Sequence, residues 1–215
     1  MKVQQYIKKL NNTELGKGNT HECYVLVSSK VPMMNEFFDD QNLRPNFQLI
    51  SQNSNSINSI HITKGRELRI NGLGEYYSNN NANAGDEIMF ERRDINGMSS
   101  FFIDFKAKNN TITFQRNAKG FEALNIDRLN DKLVNNSFIL QCEYNNSECQ
   151  LTIQFKESAK KRSDSPDLTD FYQILVNGID IINDYRNNDY LELEELGANS
   201  AFKKVNVWQK YEFNY

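Results

Sequence analysis

Apolar and polar side chains alternate along much of the first hundred residues, the period of two expected of half-buried strands. Gln5–Leu10, Cys23–Ser29 (CYVLVSS), Phe47–Ser51 (FQLIS), Ser59–Thr63 (SIHIT), Leu68–Leu73 (LRINGL) and Ser100–Lys106 (SFFIDFK) read as strands. GDEIMFER (Gly85–Arg92) reads as a turn followed by a strand, and Asn96–Gly97 is a hairpin-turn dipeptide. LGKGNTHE (Leu15–Glu22), with two glycines, an asparagine and a threonine, has the chemistry of a loop, and TKGRE (Thr63–Glu67) that of a turn. Pro32 opens VPMMNEFFDD, which predicts a short amphipathic helix with Met33, Met34, Phe37 and Phe38 inward. The polar run QNSNSIN separates two of the strands, and the Asn-rich stretch Gly74–Ala84 predicts a loop or a short helix.

The pattern changes after Lys106. TITFQR (Thr111–Arg116) is a strand, and SFILQCEY and CQLTIQF predict an antiparallel pair around the turn NNSE. In FEALNIDRLNDKLV (Phe121–Val134) the spacing of Leu124, Leu129 and Leu133 predicts a helix. AKKRSDSP (Ala159–Pro166) combines charge, serine and proline as a linker does. Asp167–Tyr185 predicts a second helix, with an aspartate cap and a stripe through Phe171, Ile174, Leu175 and Ile179. The expected class is α+β, mostly β, without internal repeats or coiled-coil heptads.

Composition narrows this picture. A chain of 215 residues, 39% hydrophobic and 25% charged, can bury one large core or two small ones. No apolar stretch is long enough to cross a bilayer, and MKVQQYIKKL lacks a signal peptide's apolar centre, so a cytoplasmic protein with no membrane partner is expected. Cys23, Cys142 and Cys149 are odd in number and lack CxxC spacing, which gives neither a disulfide framework nor a zinc site. Two histidines, His21 and His61, leave little for a histidine-based metal centre. The net charge of −3 is unevenly placed: residues 1–106 carry 12 basic and 12 acidic side chains, residues 107–215 carry 13 and 16. Any nucleic-acid binding must therefore come from local basic clusters.

The order strand, Gly-rich loop, strand, Pro-led helix, long hairpin, then Gly-Asp and a strand resembles the B3-like DNA-binding pseudobarrel. The likeness is to the recognition domains of prokaryotic restriction endonucleases. It is carried by YIKKLNNTELGKGNTHECYVLVSSKV, RELRINGLGEYY and NAGDEIMFERRD, and covers about residues 3–106. Where the family often has an aromatic near SIHIT, this chain has Ile60 and Ile62.

The resemblance implies an open β-pseudobarrel over residues 1–108 that recognises double-stranded DNA, followed by a smaller α+β extension over 109–215. It also implies a bacterial restriction-modification setting, with a nuclease or a nucleotide-driven motor subunit as partner. Two arms would hold the duplex in its major groove: Lys17, Asn19, Thr20, His21 and Glu22 from the first loop, and His61, Lys64, Arg66 and Arg69 from the central hairpin. The chemistry suits them. Arg66 and Arg69 can fork onto guanine, Asn19 can pair with adenine, and Glu22 can accept from cytosine N4. Lys17, Lys64 and Thr20 suit phosphates, and Gly16, Gly18 and Gly65 allow close backbone approach.

Nuclease chemistry is the rival reading: a complete small magnesium-dependent endonuclease with its site in the second half. A non-enzymatic transcription factor would look the same in sequence. Asp94 with Asp104-Phe-Lys106 has the spacing of a PD-(D/E)xK site, and Glu148 with Gln154-Phe-Lys156 matches it more loosely. Asp104 and Lys106, however, fall on a strand expected to complete the barrel, and glutamine is a poor metal ligand. No catalytic residue is assigned, and no cofactor is expected unless the nuclease reading, with magnesium, holds. No HNH cluster and no GxxxxGK[ST] nucleotide loop is present.

Overall fold

The computed structural model describes residues 1–17, 21–38, 45–50, 56–57, 59–64, 67–163, 167–196 and 198–215, the side chains of Met34 and Asn35 excepted. The chain folds as two compact units, Met1–Lys108 together with Val207–Tyr215, and Asn109–Asn206. In chain order the first contains β1 (Lys2–Lys9), β2 (Tyr24–Val27), α1 (Met33–Glu36), β3 (Phe47–Leu49), β4 (Ser56–Ile57) and β5 (His61–Lys64). It continues through β6 (Leu68–Asn71), α2 (Gly74–Asn79), β7 (Glu87–Ile95) and β8 (Met98–Lys106). The second holds β9 (Thr111–Asn117), β10 (Gly120–Ala123), α3 (Ile126–Asn130), β11 (Ser137–Tyr144) and β12 (Ser147–Lys160). There follow β13 (Leu168–Val176), β14 (Ile179–Asp180), a 3-10 turn at Ile182–Asp184, β15 (Tyr190–Leu196) and β16 (Asn199–Val205). The chain then returns to the first unit as β17 (Trp208–Asn214).

The first unit is built from a six-stranded sheet, ordered β17-β1-β7-β8-β3-β4, and a three-stranded sheet, β2-β6-β5. Among the described residues of this unit only β3 and β8 pair in parallel. Alternation decides what each face buries. From the small sheet Val25, Ile62 and Ile70 point into the core, and from the large one Tyr6, Ile88, Phe90, Phe101 and Ile103. Met33, Phe37 and Phe38 are buried in the same core, with Phe37 and Phe38 ring centroids 5.0 Å apart, edge to face. Met34, expected inward beside them, has a side chain outside the described set. Tyr76 and Tyr77 of α2 are both buried, and desolvation holds both phenols well above their usual range. Asn96 and Gly97 take left-handed φ of 50° and 81°, the pair a two-residue hairpin between β7 and β8 requires.

The second unit is a β-barrel. Its sheet runs β10-β9-β15-β16-β11-β12-β13-β14, and pairing of β10 with β13 closes a ring of seven strands. Phe114, Phe121, Ile153, Tyr172, Ile174, Leu193 and Phe202 fill its interior. Cys142 and Cys149 face each other across the β11–β12 hairpin, both buried, with sulfurs 3.7 Å apart.

Three expectations for this half are corrected. Phe121–Val134 is helical only over Ile126–Asn130, because Phe121 and Ala123 are consumed by the β10 ladder. Asp167–Tyr185 is β13, a turn and β14 rather than a helix: Asn177 and Gly178 adopt φ of 48° and 81° and reverse the chain where the apolar spacing suggested continuity. Ala159–Pro166 is not a linker between units: Ala159 and Lys160 are the end of β12, paired with β13, and the segment falls within one barrel; residues 164–166 are outside the described set. Among the described residues no helix is long and apolar enough to cross a membrane.

Candidate functional site

The first arm is rooted by a buried ion pair. Residues 11–17 fold into consecutive turns, with Leu15 N–H donating to the Asn11 carbonyl at 3.2 Å and Lys17 N–H to the Asn12 carbonyl at 3.0 Å. Glu14, 1% exposed, sits inside them. Its carboxylate accepts from Lys8 Nζ at 2.9 Å, from Asn11 N–H at 3.2 Å and from Leu26 N–H at 2.9 Å. One side chain thus ties the arm to β1 and β2. Burial pushes the Lys8 ammonium below its usual range, and the Glu14 carboxylate beside it opposes that shift. Beyond the turns Lys17, His21 and Glu22 are exposed; His21 has a left-handed φ of 51°. Asn19 and Thr20 lie outside the described residues, as does Gly18.

The second arm is the β5–β6 hairpin. Register pairs His61 with Asn71 and Thr63 with Arg69, so these four side chains share the face opposite Ile62 and Ile70. Arg69 lies over the Tyr24 ring, its guanidinium carbon 4.6 Å from the centroid, and its Nη2 donates to Glu67 at 3.2 Å. A cation held over an aromatic face and bonded to a carboxylate has fewer orientations open to it than a free arginine. Asn71 Nδ2 donates to Thr63 Oγ1 at 2.9 Å. His61 Nδ1 donates to the Ser59 carbonyl at 3.1 Å, which in the neutral ring leaves Nε2 as an acceptor. Gly72 ends the hairpin with φ +80°, and a Cβ there would lie 2.1 Å from the Ser59 carbonyl oxygen, so only glycine fits. Lys64 is exposed at the end of β5; Gly65 and Arg66 are outside the described residues.

Together the arms enclose an open cleft of about 520 Å³. His21, Glu22 and Cys23 line it together with His61, Thr63, Arg69 and Asn71 of the hairpin, and with Gly72 and Gly74. Of the residues assigned to the arms, His21, Glu22, His61 and Arg69 meet in this cleft. Thr63 and Asn71 were not singled out from sequence, although alternation with Ile62 and Ile70 puts them on the same face as His61 and Arg69. Cys23 is half-buried, and its desolvation raises the thiol.

Neither nuclease constellation comes together. Asp94 pairs across the hairpin with Ser99, five residues from Asp104, about 17 Å along an extended strand. It is occupied by Arg92 Nε at 2.8 Å and Ser99 Oγ at 2.6 Å. Glu148 and Gln154 are six residues apart on β12, about 20 Å by the same measure, and Lys156 Nζ donates to the Lys119 carbonyl at 2.7 Å. Among the described residues no group of three or more His, Cys, Asp or Glu could hold a metal ion. No known protein-family model matches the chain, and no curated protein matches it in sequence.

Proposed function

We propose that the first unit is an open, B3-like pseudobarrel that recognises a short stretch of double-stranded DNA between its two arms, in a bacterial restriction-modification setting. The observation that carries this reading is the cleft: two segments about forty residues apart in sequence, each assigned to DNA contact, line one concavity. The order of elements supports it as well: β1, a loop, β2, the Pro-led α1, the β5–β6 hairpin and then Gly85-Asp86 before β7 follow the order on which the resemblance rests, with β3, β4 and α2 in addition. The major groove, about 12 Å wide, admits a two-stranded ribbon, and β5–β6 is such a ribbon. Charge agrees weakly: the first unit carries 14 basic and 13 acidic side chains, the second 11 and 15. The second unit is assigned, on the resemblance alone, to positioning the first or docking a nuclease or motor subunit.

Reading and gripping separate in two variants. Arg69 lies over the Tyr24 ring and bonds Glu67, contacts that orient its planar fork, whereas Lys17 is a flexible point charge suited to phosphate. Arg69→Ala should weaken binding to the preferred duplex by about 1–3 kcal/mol and relax discrimination at one base pair. Lys17→Ala should weaken all duplexes alike. Both are titrated against the preferred duplex and its single-base changes. Uniform weakening by Arg69→Ala would mean that the hairpin grips without reading; no effect from either variant would remove the DNA assignment from this cleft.

A further inference from the structure

We infer that β17 is a self-complementary sheet edge through which two copies of the chain join, antiparallel, about Tyr211. β17 ends the six-stranded sheet, and among the described residues only β1 pairs with it. Residues 210–215 are all exposed. The bonds of Lys9 N–H to the Val207 carbonyl and of Tyr215 N–H to the Met1 carbonyl fix the phase. Odd-numbered residues bond to β1, and the N–H and C=O of Trp208, Lys210, Glu212 and Asn214 point to the open side.

That edge carries exposed apolar surface. Tyr211, Phe213 and Tyr215 stand 44%, 39% and 78% exposed on one face, their rings stacked at 6.5 and 6.3 Å. A row of exposed aromatics beside unpaired backbone is a template for another strand. Charge selects which strand. The phase leaves three central registers for a two-fold pairing with itself. Centring on Lys210 sets two lysines opposite each other, and centring on Glu212 sets two glutamates. Centring on Tyr211 instead sets each Lys210 opposite the other copy's Glu212, Tyr211 opposite Tyr211, and Gln209 opposite Phe213. This register also pairs the whole of β17, Trp208 through Asn214. Opposite charges and aromatic pairs at facing positions are the units of strand–strand stabilisation. The inference is independent of the DNA reading.

The test is a charge exchange read by sedimentation velocity on the full chain. The wild type should dimerise with rising concentration. K210E places glutamates opposite glutamates and E212K lysines opposite lysines, so each alone should dimerise at least about tenfold more weakly. Mixed in equal amounts, the two variants restore both opposite-charge pairs and should recover a heterodimer. Tyr211→Lys, which leaves the ion pairs of Lys210 with Glu36 and of Glu212 with Lys2 in place, should also dissociate the pair. A wild type that stays monomeric at several hundred micromolar would overturn the inference, and so would single variants that self-associate as well as it does.

Discussion

Glu14→Ala is expected to cost about 3–5 kcal/mol of folding stability, the range for removing one partner of a buried ion pair. The loss has two parts. Lys8 is left buried at 4% side-chain exposure without its carboxylate, and the N–H groups of Asn11 and Leu26 lose their acceptor. Lys8→Met/Glu14→Gln should recover much of it, because an amide oxygen can still take a backbone N–H while no charge is stranded. In Glu14→Ala the pH dependence has a definite sign. The folded chain holds Lys8 with a lowered affinity for its proton, and the unfolded chain keeps that proton up to the ordinary lysine range. The unfolded state therefore binds more protons across that interval, so the penalty shrinks as pH rises toward the ordinary lysine range. Urea unfolding at pH 7 and pH 10 measures both effects. A loss below about 1 kcal/mol at pH 7 would show that the arm is rooted some other way.

The second large effect is on binding. If Lys17, Lys64, Arg66, Arg69 and one or two further cations displace condensed counterions, log affinity should fall against log salt with a slope of about −4 to −6. Between 50 and 200 mM salt that is a loss of a few hundredfold to a few thousandfold. Glu22 and Glu67 work in the opposite sense, since both are exposed carboxylates at the arms. Glu67→Gln frees Arg69 from its 3.2 Å partner and should raise affinity at every salt concentration without flattening the slope. A titration that is flat in salt would leave no electrostatic basis for duplex binding.

The parts of this molecule written in local pattern were legible. Alternation marks β1, β2, β5 and β6, and the Asn-Gly pair marks the β7–β8 turn, because each depends on neighbours within a few residues. The partners of a strand are another matter. β17 pairs with β1 across two hundred residues, and no local property of KYEFNY announces that it completes the first unit. In the second half an apolar spacing of three and four in Phe171, Ile174 and Leu175 imitated a helix, while Asn177-Gly178 carried the hairpin signal that prevailed. Lys8 and Glu14 show a different limit: such residues are almost never fully buried unless paired, so the sequence gives no reason to look for them inside.

The most direct measurement is selection of the full-length protein against a randomised duplex library at moderate salt, repeated with Arg69→Ala. The wild type should enrich one short motif. The variant should enrich the same motif with a single position relaxed, because one guanidinium fork has been removed from a cleft whose other lining residues remain. Enrichment of no motif, or an identical motif from both proteins, would contradict the claim that this cleft reads DNA.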